Sequence, residues 1–414
     1  MAFSHSELST IPLEKFQRRL EVICMAMKAE GLPRGIKELR EDLHRRPDLS
    51  GREERTSAIA ASELDKAGIG VIHAEGYSLV GVLEGAAPGK TLALRADMDA
   101  LPIQENENNL KGKRALCSEI AGAAHMCGHD FHTAALLGAA RRLAARRDSF
   151  KGRILFCFES GEEKGCGYKA VLDQLEKLGL PDAGFGIHVR SDFPCGTMAV
   201  HSGPCMAGTL SFAVDVHGKS GHGARPDQAL DPINCAAQII CSANAILARR
   251  VNPLEAAVLG VCSIHGGSIH NRIPDLCRME GTMRYFNDHL GEKMKIMLEQ
   301  VVSGTSLANG CHSEMSWRGP CPAVVNDQAL AEIVRAQAES IQGVGLLDAE
   351  PWTASDSMGH YAKAFPCVYA FVGCANEAKG CGAPHHSDLF EADEDCLPLC
   401  VELTVRFAEE YLKS

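Results

Sequence analysis

The order of apolar runs changes in the middle of this chain, and that change restricts its fold more than any single motif does. Up to about residue 207, short β-rich runs alternate with helical ones. "YSLVGVLEG", "TLALRADMD", "RILFCFES" and "FGIHV" are separated by stretches such as "TAALLGAARRLAARR" and "YKAVLDQLEKLGL". Strands alternating with helices build a largely parallel sheet covered by helices. From Gly208 the order becomes "LSFAVDVHG", a helix over Pro232–Arg249, "AAVLGVCSIHG", "LCRMEGTMRYF", a helix near 288–303 and "HSEMSW". This β-α-β-β-α-β succession is the ferredoxin-like order. After residue 319 the first style returns, with "FPCVYAFVG" and a C-terminal helix around 392–412. The expected fold is α/β: a mostly parallel mixed-sheet domain from 1–207 and 319–414, with a smaller domain, 208–318, inserted into it.

A chain of 414 residues has room for two such domains. Its 45% hydrophobic and 23% charged residues are ordinary for a globular core and surface. A net charge of -11 without a basic block argues against nucleic acid or an anionic membrane surface as main partner. No apolar run approaches the ~18 residues of a membrane span. The N-terminal "MAFSHSELSTIPLEKFQRRLEVICMAMKAEGL" carries charges throughout its apolar positions, so it reads as an amphipathic helix and not a signal peptide. The 18 cysteines are scattered, with no CxxC pair. They are expected to be reduced thiols of a cytoplasmic protein, most of them small core residues.

Two nucleotide-like motifs fail on context. "GCGYKA" at 165–170 fits GxGxxA, but two glutamates separate it from the preceding strand, and no acidic residue closes a second strand about 20 residues on. "GAAPGKT" at 85–91 is one residue short of a phosphate loop and leads into a strand, where a helix is needed. HExxH and the zinc-deaminase pattern are absent. What remains is a set of polar clusters at strand ends. "HMCGHDFH" places Cys127 and His129 where a non-helical turn could aim both at one point, and thiolate with imidazole suits zinc or another late divalent ion. "FESGEEKG" puts Glu162 and Glu163 directly after a strand, where ligands of open α/β sheets gather. Adjacent acids repel unless a cation or a shared proton relieves them. His188 in "FGIHVRSD" and the histidines of "GAPHHSDLF" add imidazoles, while Asp97 and Asp99 in "RADMDALP" could orient ligands. A solvated acidic turn or a satisfied core histidine explains any one cluster; four together in one α/β domain point to a metal site.

In order, "RADMDALPI", "HMCGHDFHTAALLGAA", "GEEKGCG", "FGIHV", "VHGKSGHGARPDQALDPI", "HNRIPD", "GTMRYF" and "HHSDLF" resemble the di-metal aminoacylase/carboxypeptidase superfamily over roughly residues 37–412. The similarity is to its amidohydrolase branch, which includes hippurate hydrolase, N-acyl-amino-acid amidohydrolase and plant auxin–amino-acid conjugate hydrolases. The resemblance implies a catalytic domain interrupted by a lid domain that often dimerises, giving a homodimer or a higher oligomer. It implies two divalent metal ions per subunit, Mn2+ or Zn2+ with Co2+ or Ni2+ as alternatives. Cys127 matches the bridging ligand, and His129, Glu163, His188 and His386 match the others. His386 is chosen over His385 because it keeps the spacing to Phe390. One ion would take Cys127, Glu163 and His386, and the other Cys127, His129 and His188. Glu162 matches the general base, with Asp99 as a supporting carboxylate. His222 on the lid matches a residue that polarises the scissile carbonyl, in some members from the partner subunit, and Asn271 and Arg284 match substrate-carboxylate contacts. Two departures bear on substrate preference: "ESGEE" stands for the common "QPAEE", and "SDSM", with Ser357, for an acidic segment.

Hydrolysis of an N-acyl-amino acid to a carboxylic acid and a free amino acid is the leading expectation. A dipeptidase or carboxypeptidase, and C–N hydrolysis of an unusual aromatic amine, use the same machinery. A metal-binding regulatory protein without catalysis is the rival from another class; Glu162 beside a full ligand set argues against it.

Overall fold

In the computed structural model, residues 32–33 and 35–413 are described. The expected N-terminal helix lies almost entirely outside them. The chain forms two compact units. One comprises the residues up to Gly203, Val325–Glu350 and the chain from His360; the other comprises Pro204–Val324 and Pro351–Gly359.

The larger unit is built on an eight-stranded mixed sheet. Its order is Gly70–His73, Leu79–Glu84, Arg153–Glu159, Thr91–Asp97, Ala183–Pro194, Cys367–Ala375, Thr197–Ala199 and Gly345–Leu347. The four central strands, from Arg153–Glu159 to Cys367–Ala375, run parallel. The first two strands and Thr197–Ala199 join by antiparallel pairing. The central strands read as near-continuous apolar runs because both faces are covered, as parallel strands require. Thus Leu92, Leu94, Ile154, Phe156, Phe158, Val368 and Val372 are all fully buried. Helix His129–Ala145 is buried on nearly every face and packs against Ile36–Arg45 and Leu397–Lys413. Register brings the polar strand ends to one level. Asp97 pairs with Glu159, Arg95 with Gly186, and two residues past that last pair lie Asp97 and His188.

The smaller unit is an antiparallel sheet in the order Ala257–Gly266, Leu276–Tyr285, Gly208–His217, His312–Cys321, with helices Pro232–Arg250 and Asp288–Ala308 packed on it. This is the ferredoxin-like arrangement. Leu276–Tyr285 alternates strictly between buried and half-open positions, the mark of a sheet with one covered face. Both helices start at side-chain caps. Asp231 accepts from the backbone N–H groups of Ile233 and Asn234, and Asn287 accepts from that of His289.

The boundaries differ from 1–207, 208–318 and 319–414 in three places, the first being that the smaller unit already begins at Pro204. The last strand continues past Trp317 through a register shift to pair Cys321 with Thr209, so the smaller unit runs on to Val324. Pro351–Gly359 also belongs to it, because Trp352 bridges to Met206 and donates its N–H to the Cys205 carbonyl at 2.8 Å. Neither a bulge nor a lone backbone bridge has a hydrophobic period to reveal it. Among the described residues no helix is long and apolar enough to cross a membrane.

Candidate metal centre

The turn before helix His129–Ala145 depends on Gly128, which caps the helix at φ 88°. A Cβ there would lie 2.4 Å from Cγ2 of Val189, so both conformation and space demand glycine. This left-handed residue lets Cys127 and His129 present donors to one point. The acidic pair is framed similarly: strand Arg153–Glu159 leads through Ser160 to Gly161 at φ 68°, then to a single 3₁₀ turn, Glu162–Lys164, closed by Gly165 at φ 59°. His188, on strand Ala183–Pro194, donates its Nδ1 hydrogen to the Val189 carbonyl at 2.7 Å. That sets the tautomer and leaves Nε2 3.6 Å from Cys127 Sγ. His386 is the only non-glycine residue with positive φ among those described, at 64°. Its backbone N–H donates to the Met126 carbonyl at 2.9 Å, and its Nε2 lies 3.2 Å from Glu163 Oε1.

These side chains fall into overlapping groups whose donor atoms all lie within 4.8 Å of one another: Cys127, His129 and His188; Cys127, Glu163 and His386; and His129, Glu162 and Glu163. Cys127 belongs to the first two. The donor set fits divalent cations on three counts. Glu163 Oε1 is buried without a hydrogen-bond partner although two imidazoles face it, His129 at 3.8 Å and His386 at 3.2 Å. Burial, then the charge of Glu163, pushes the Cys127 thiol well up, so a thiolate at this point calls for a cation. His129 is held well up: burial opposes its charge, but the Asp97 charge and the hydrogen bond to Asp99 prevail, so the surroundings favour positive charge at the ring. His188, by contrast, is pushed well down by burial and then by His132, leaving a neutral ring ready to ligate.

Asp99 joins two elements. Oδ1 lies 3.0 Å from His129 Nδ1, and Oδ2 accepts the Glu163 backbone N–H at 3.0 Å and the Ser50 hydroxyl. Through Asp99 the His129 ring and the acidic turn share one anchor. Asp97 holds Arg95 at 2.8 Å and His132 Nδ1 at 2.6 Å. Sequence reasoning missed His132, though it sits three residues from His129, on the same helical face. Its Nε2 accepts the Val189 backbone N–H at 3.0 Å, which places its proton on Nδ1 and pins the strand beside His188. Glu53 was missed as well. It is fully buried, and Oε1 accepts from the backbone N–H groups of Gly51 at 2.8 Å and Gly161 at 2.7 Å, tying down the acidic turn. No sequence pattern marks that role. His385 points elsewhere and braces a strand. Its Nε2 accepts the Ser191 backbone N–H at 3.2 Å, and burial with Arg190 pushes its pKa down to about 3.

In the smaller unit, His222 and Asn271 are brought together. His222 pairs with Arg272 in a two-stranded ribbon, and the Asn271 carbonyl accepts the Gly223 N–H at 2.8 Å. Both are exposed. Arg284 is half-buried on strand Leu276–Tyr285, and its Nη1 bonds to the Thr209 and Thr282 hydroxyls and, at 3.0 Å, to the Met283 carbonyl.

A mixed α/β sheet carrying a thiolate–imidazole–carboxylate cluster at its strand ends, interrupted by a ferredoxin-like unit, defines a class of peptidase-like hydrolases. Residues 93–410 match peptidase family M20/M25/M40, and the chain belongs to it. It is 37% identical over 369 residues to thermostable carboxypeptidase 1 of Saccharolobus solfataricus, covering 88% of this chain and 92% of that protein. It is also 37% identical over 336 residues to an N-acetyl-L-cysteine deacetylase of Bacillus subtilis, covering 81% and 79%. Among solved structures, a dinuclear metal-binding peptidase of the M20 family from Bacillus subtilis superposes with a TM-score of 0.78 at 29% identity, covering 91% of this chain and 98% of that one.

Proposed function

We propose that this hydrolase cleaves the amide bond of N-acyl-amino acids, releasing a carboxylic acid and a free amino acid, with Glu162 as general base. The observation that carries the reading is the sulfur of Cys127, common to two three-residue donor groups, with Glu162 in an adjoining one. Two divalent ions, Mn2+ or Zn2+ with Co2+ or Ni2+ as alternatives, would be held by Cys127, Glu163 and His386 and by Cys127, His129 and His188. When bound, such ions lower the pKa of water from about 15.7 to about 7 and stabilise developing oxyanion charge. Glu162 accepts the proton of the attacking water at a carboxylate oxygen and delivers it to the departing amine nitrogen. Asp99 keeps the His129 ring and the 162–163 turn in place while the proton moves. On the smaller unit, His222 is assigned to the scissile carbonyl and Asn271 and Arg284 to the substrate carboxylate. A homodimer through this unit is supported by its edge strand Ala257–Gly266, which leaves a row of backbone groups open for pairing and carries the exposed apolar residues Val258 and Ile264. The described cysteines are all free thiols, in keeping with a reducing cytoplasm.

A second reading, a carboxypeptidase or dipeptidase with the same residues, is favoured by the 37% identity to a protein named as a carboxypeptidase. Turnover on a panel of N-acyl-amino acids, dipeptides and C-terminally blocked dipeptides, before and after metal removal by chelation, separates the two. Preference for N-acyl-amino acids, lost on chelation and restored by metal, is the expected result. Turnover undiminished by thorough chelation would overturn both readings.

A further inference from the structure

We infer that Arg114 is a positioning residue for His386, acting through the backbone of residues 388–390 and not through substrate. This rests on the reading of His386 as a metal ligand. His386 lies in a loop without regular structure and adopts φ 64°, a conformation that a residue with a Cβ keeps only when its surroundings hold it there. Upstream, its N–H is tied to the Met126 carbonyl at 2.9 Å. Downstream, the loop is clasped by Arg114. Nη1 donates to the Phe390 carbonyl at 2.8 Å and Nη2 to the Asp388 carbonyl at 3.1 Å.

The clasp is built into the interior. The Arg114 side chain is 0% exposed, and Glu105 faces its Nη1 at 3.1 Å. Glu105 also lies 3.1 Å from His44 Nε2 and accepts the Ser118 backbone N–H at 2.5 Å. His44 Nδ1 lies 2.9 Å from Asp130 Oδ2, and Asp130 follows His129 directly. One run of buried charges therefore connects the Cys127–His129 turn with the loop that carries His386, although the two are far apart in sequence. Only arginine meets the geometry. Its planar fork presents parallel donors to two carbonyls two residues apart, whereas a lysine ammonium reaches them as a single point. A neutral replacement would also leave Glu105 facing one cation fewer.

The inference predicts a selective defect: metal held with His386 should weaken, and metal held with His188 should not. The full chain, stripped of metal, is titrated with Zn2+ against a competing chelator in two backgrounds. Of the two groups that share Cys127, His188→Ala leaves intact Cys127, Glu163 and His386, and His386→Ala leaves intact Cys127, His129 and His188. Arg114→Gln and Arg114→Lys are each added to both, the lysine retaining charge beside Glu105 should the glutamine variant fold poorly. Zn2+ affinity should fall about 10–100-fold in the His188→Ala background, the range for residues that orient a ligand. It should change far less in the His386→Ala background, because Arg114 holds the 388–390 carbonyls directly and reaches the Cys127–His129 turn only through Glu105, His44 and Asp130. Equal losses in both backgrounds, or none in either, would overturn the positioning role. If His386→Ala alone keeps two equivalents of zinc, the ligand reading fails, whatever Arg114 does.

Discussion

Glu162 and Glu163 are adjacent, yet the turn gives them different surroundings. The backbone N–H of Glu163 is held by Asp99, and its Oε1 faces both His129 and His386. Glu162 groups with His129 and Glu163 but in neither set containing Cys127. Glu162→Gln should keep its full metal content and lose ~10²–10⁴-fold in kcat, the range for a general acid–base group. Glu163→Gln should lose metal. Elemental analysis beside kcat reads both, and the opposite pattern would exchange the two roles. Cys127 and Cys157 form a second contrast, since both are buried thiols pushed up by burial. Cys157 lies within a sheet strand, with its sulfur against the Leu155 carbonyl, whereas Cys127 faces His188. Cys127→Ala should therefore lose at least one equivalent of metal and most activity. Cys157→Ala should keep both equivalents, with a stability loss of about 1 kcal/mol.

Helix Ile36–Arg45 turns Ile36, Arg40, Leu43 and His44 inward, one helical face with two basic residues in it. They are tolerated because Asp130, in the first turn of the neighbouring helix, meets Arg40 Nε at 2.9 Å and His44 Nδ1 at 2.9 Å. Asp130 is well placed there, since the helix dipole favours an acid near the N-terminus. For His44, burial and the Arg40 charge act downward, but the hydrogen bonds to Asp130 and Glu105 outweigh them and its pKa is raised. A raised folded pKa adds stability that is fully present below the unfolded value of about 6.5 and is lost as pH climbs through the folded one. His44→Gln should lower stability by about 1.5–3 kcal/mol at pH 6, the scale of a hydrogen bond to a charged group. The gap to wild type should narrow as pH rises, read from melting temperatures of both proteins across that range. A gap independent of pH would mean that folding leaves the His44 pKa unshifted, and a gap that widens with pH that burial keeps the ring neutral.

For the whole molecule, the insertion of a ferredoxin-like unit assigns proposed chemistry to both units. His222 and Asn271 lie together at one ribbon of the smaller unit, and among the described residues the metal-binding candidates belong to the larger. His222→Ala should retain its metal and lose about 10²–10³ in kcat, the scale of removing one oxyanion donor. Near-wild-type turnover would remove it from the mechanism. Mixing His222→Ala with Glu162→Ala separates action within a chain from action across a dimer. Regained activity marks a residue supplied by the partner, and none marks one supplied in the same chain.

The alternation of strands and helices, the ferredoxin-like order and the strand-end clusters that hold Cys127, His129, Glu163 and His188 were legible in the sequence, while the choice of His386 over His385 came from the family resemblance alone. Apolar period reports which face is buried, and chemistry-bearing residues sit at short, fixed spacings after strand ends. Tertiary structure alone decided the rest. Glu53, His132, Arg114 and the Arg40–His44–Asp130 group act on residues far along the chain, so nothing local distinguishes them from ordinary polar residues. The same holds for Pro351–Gly359, tied to the smaller unit by backbone hydrogen bonds of Trp352 and Ala354 with Cys205 and Ala207. Local sequence encodes period and spacing; which buried charge meets which carbonyl is settled only when distant segments pack together and every desolvated polar group must find a partner.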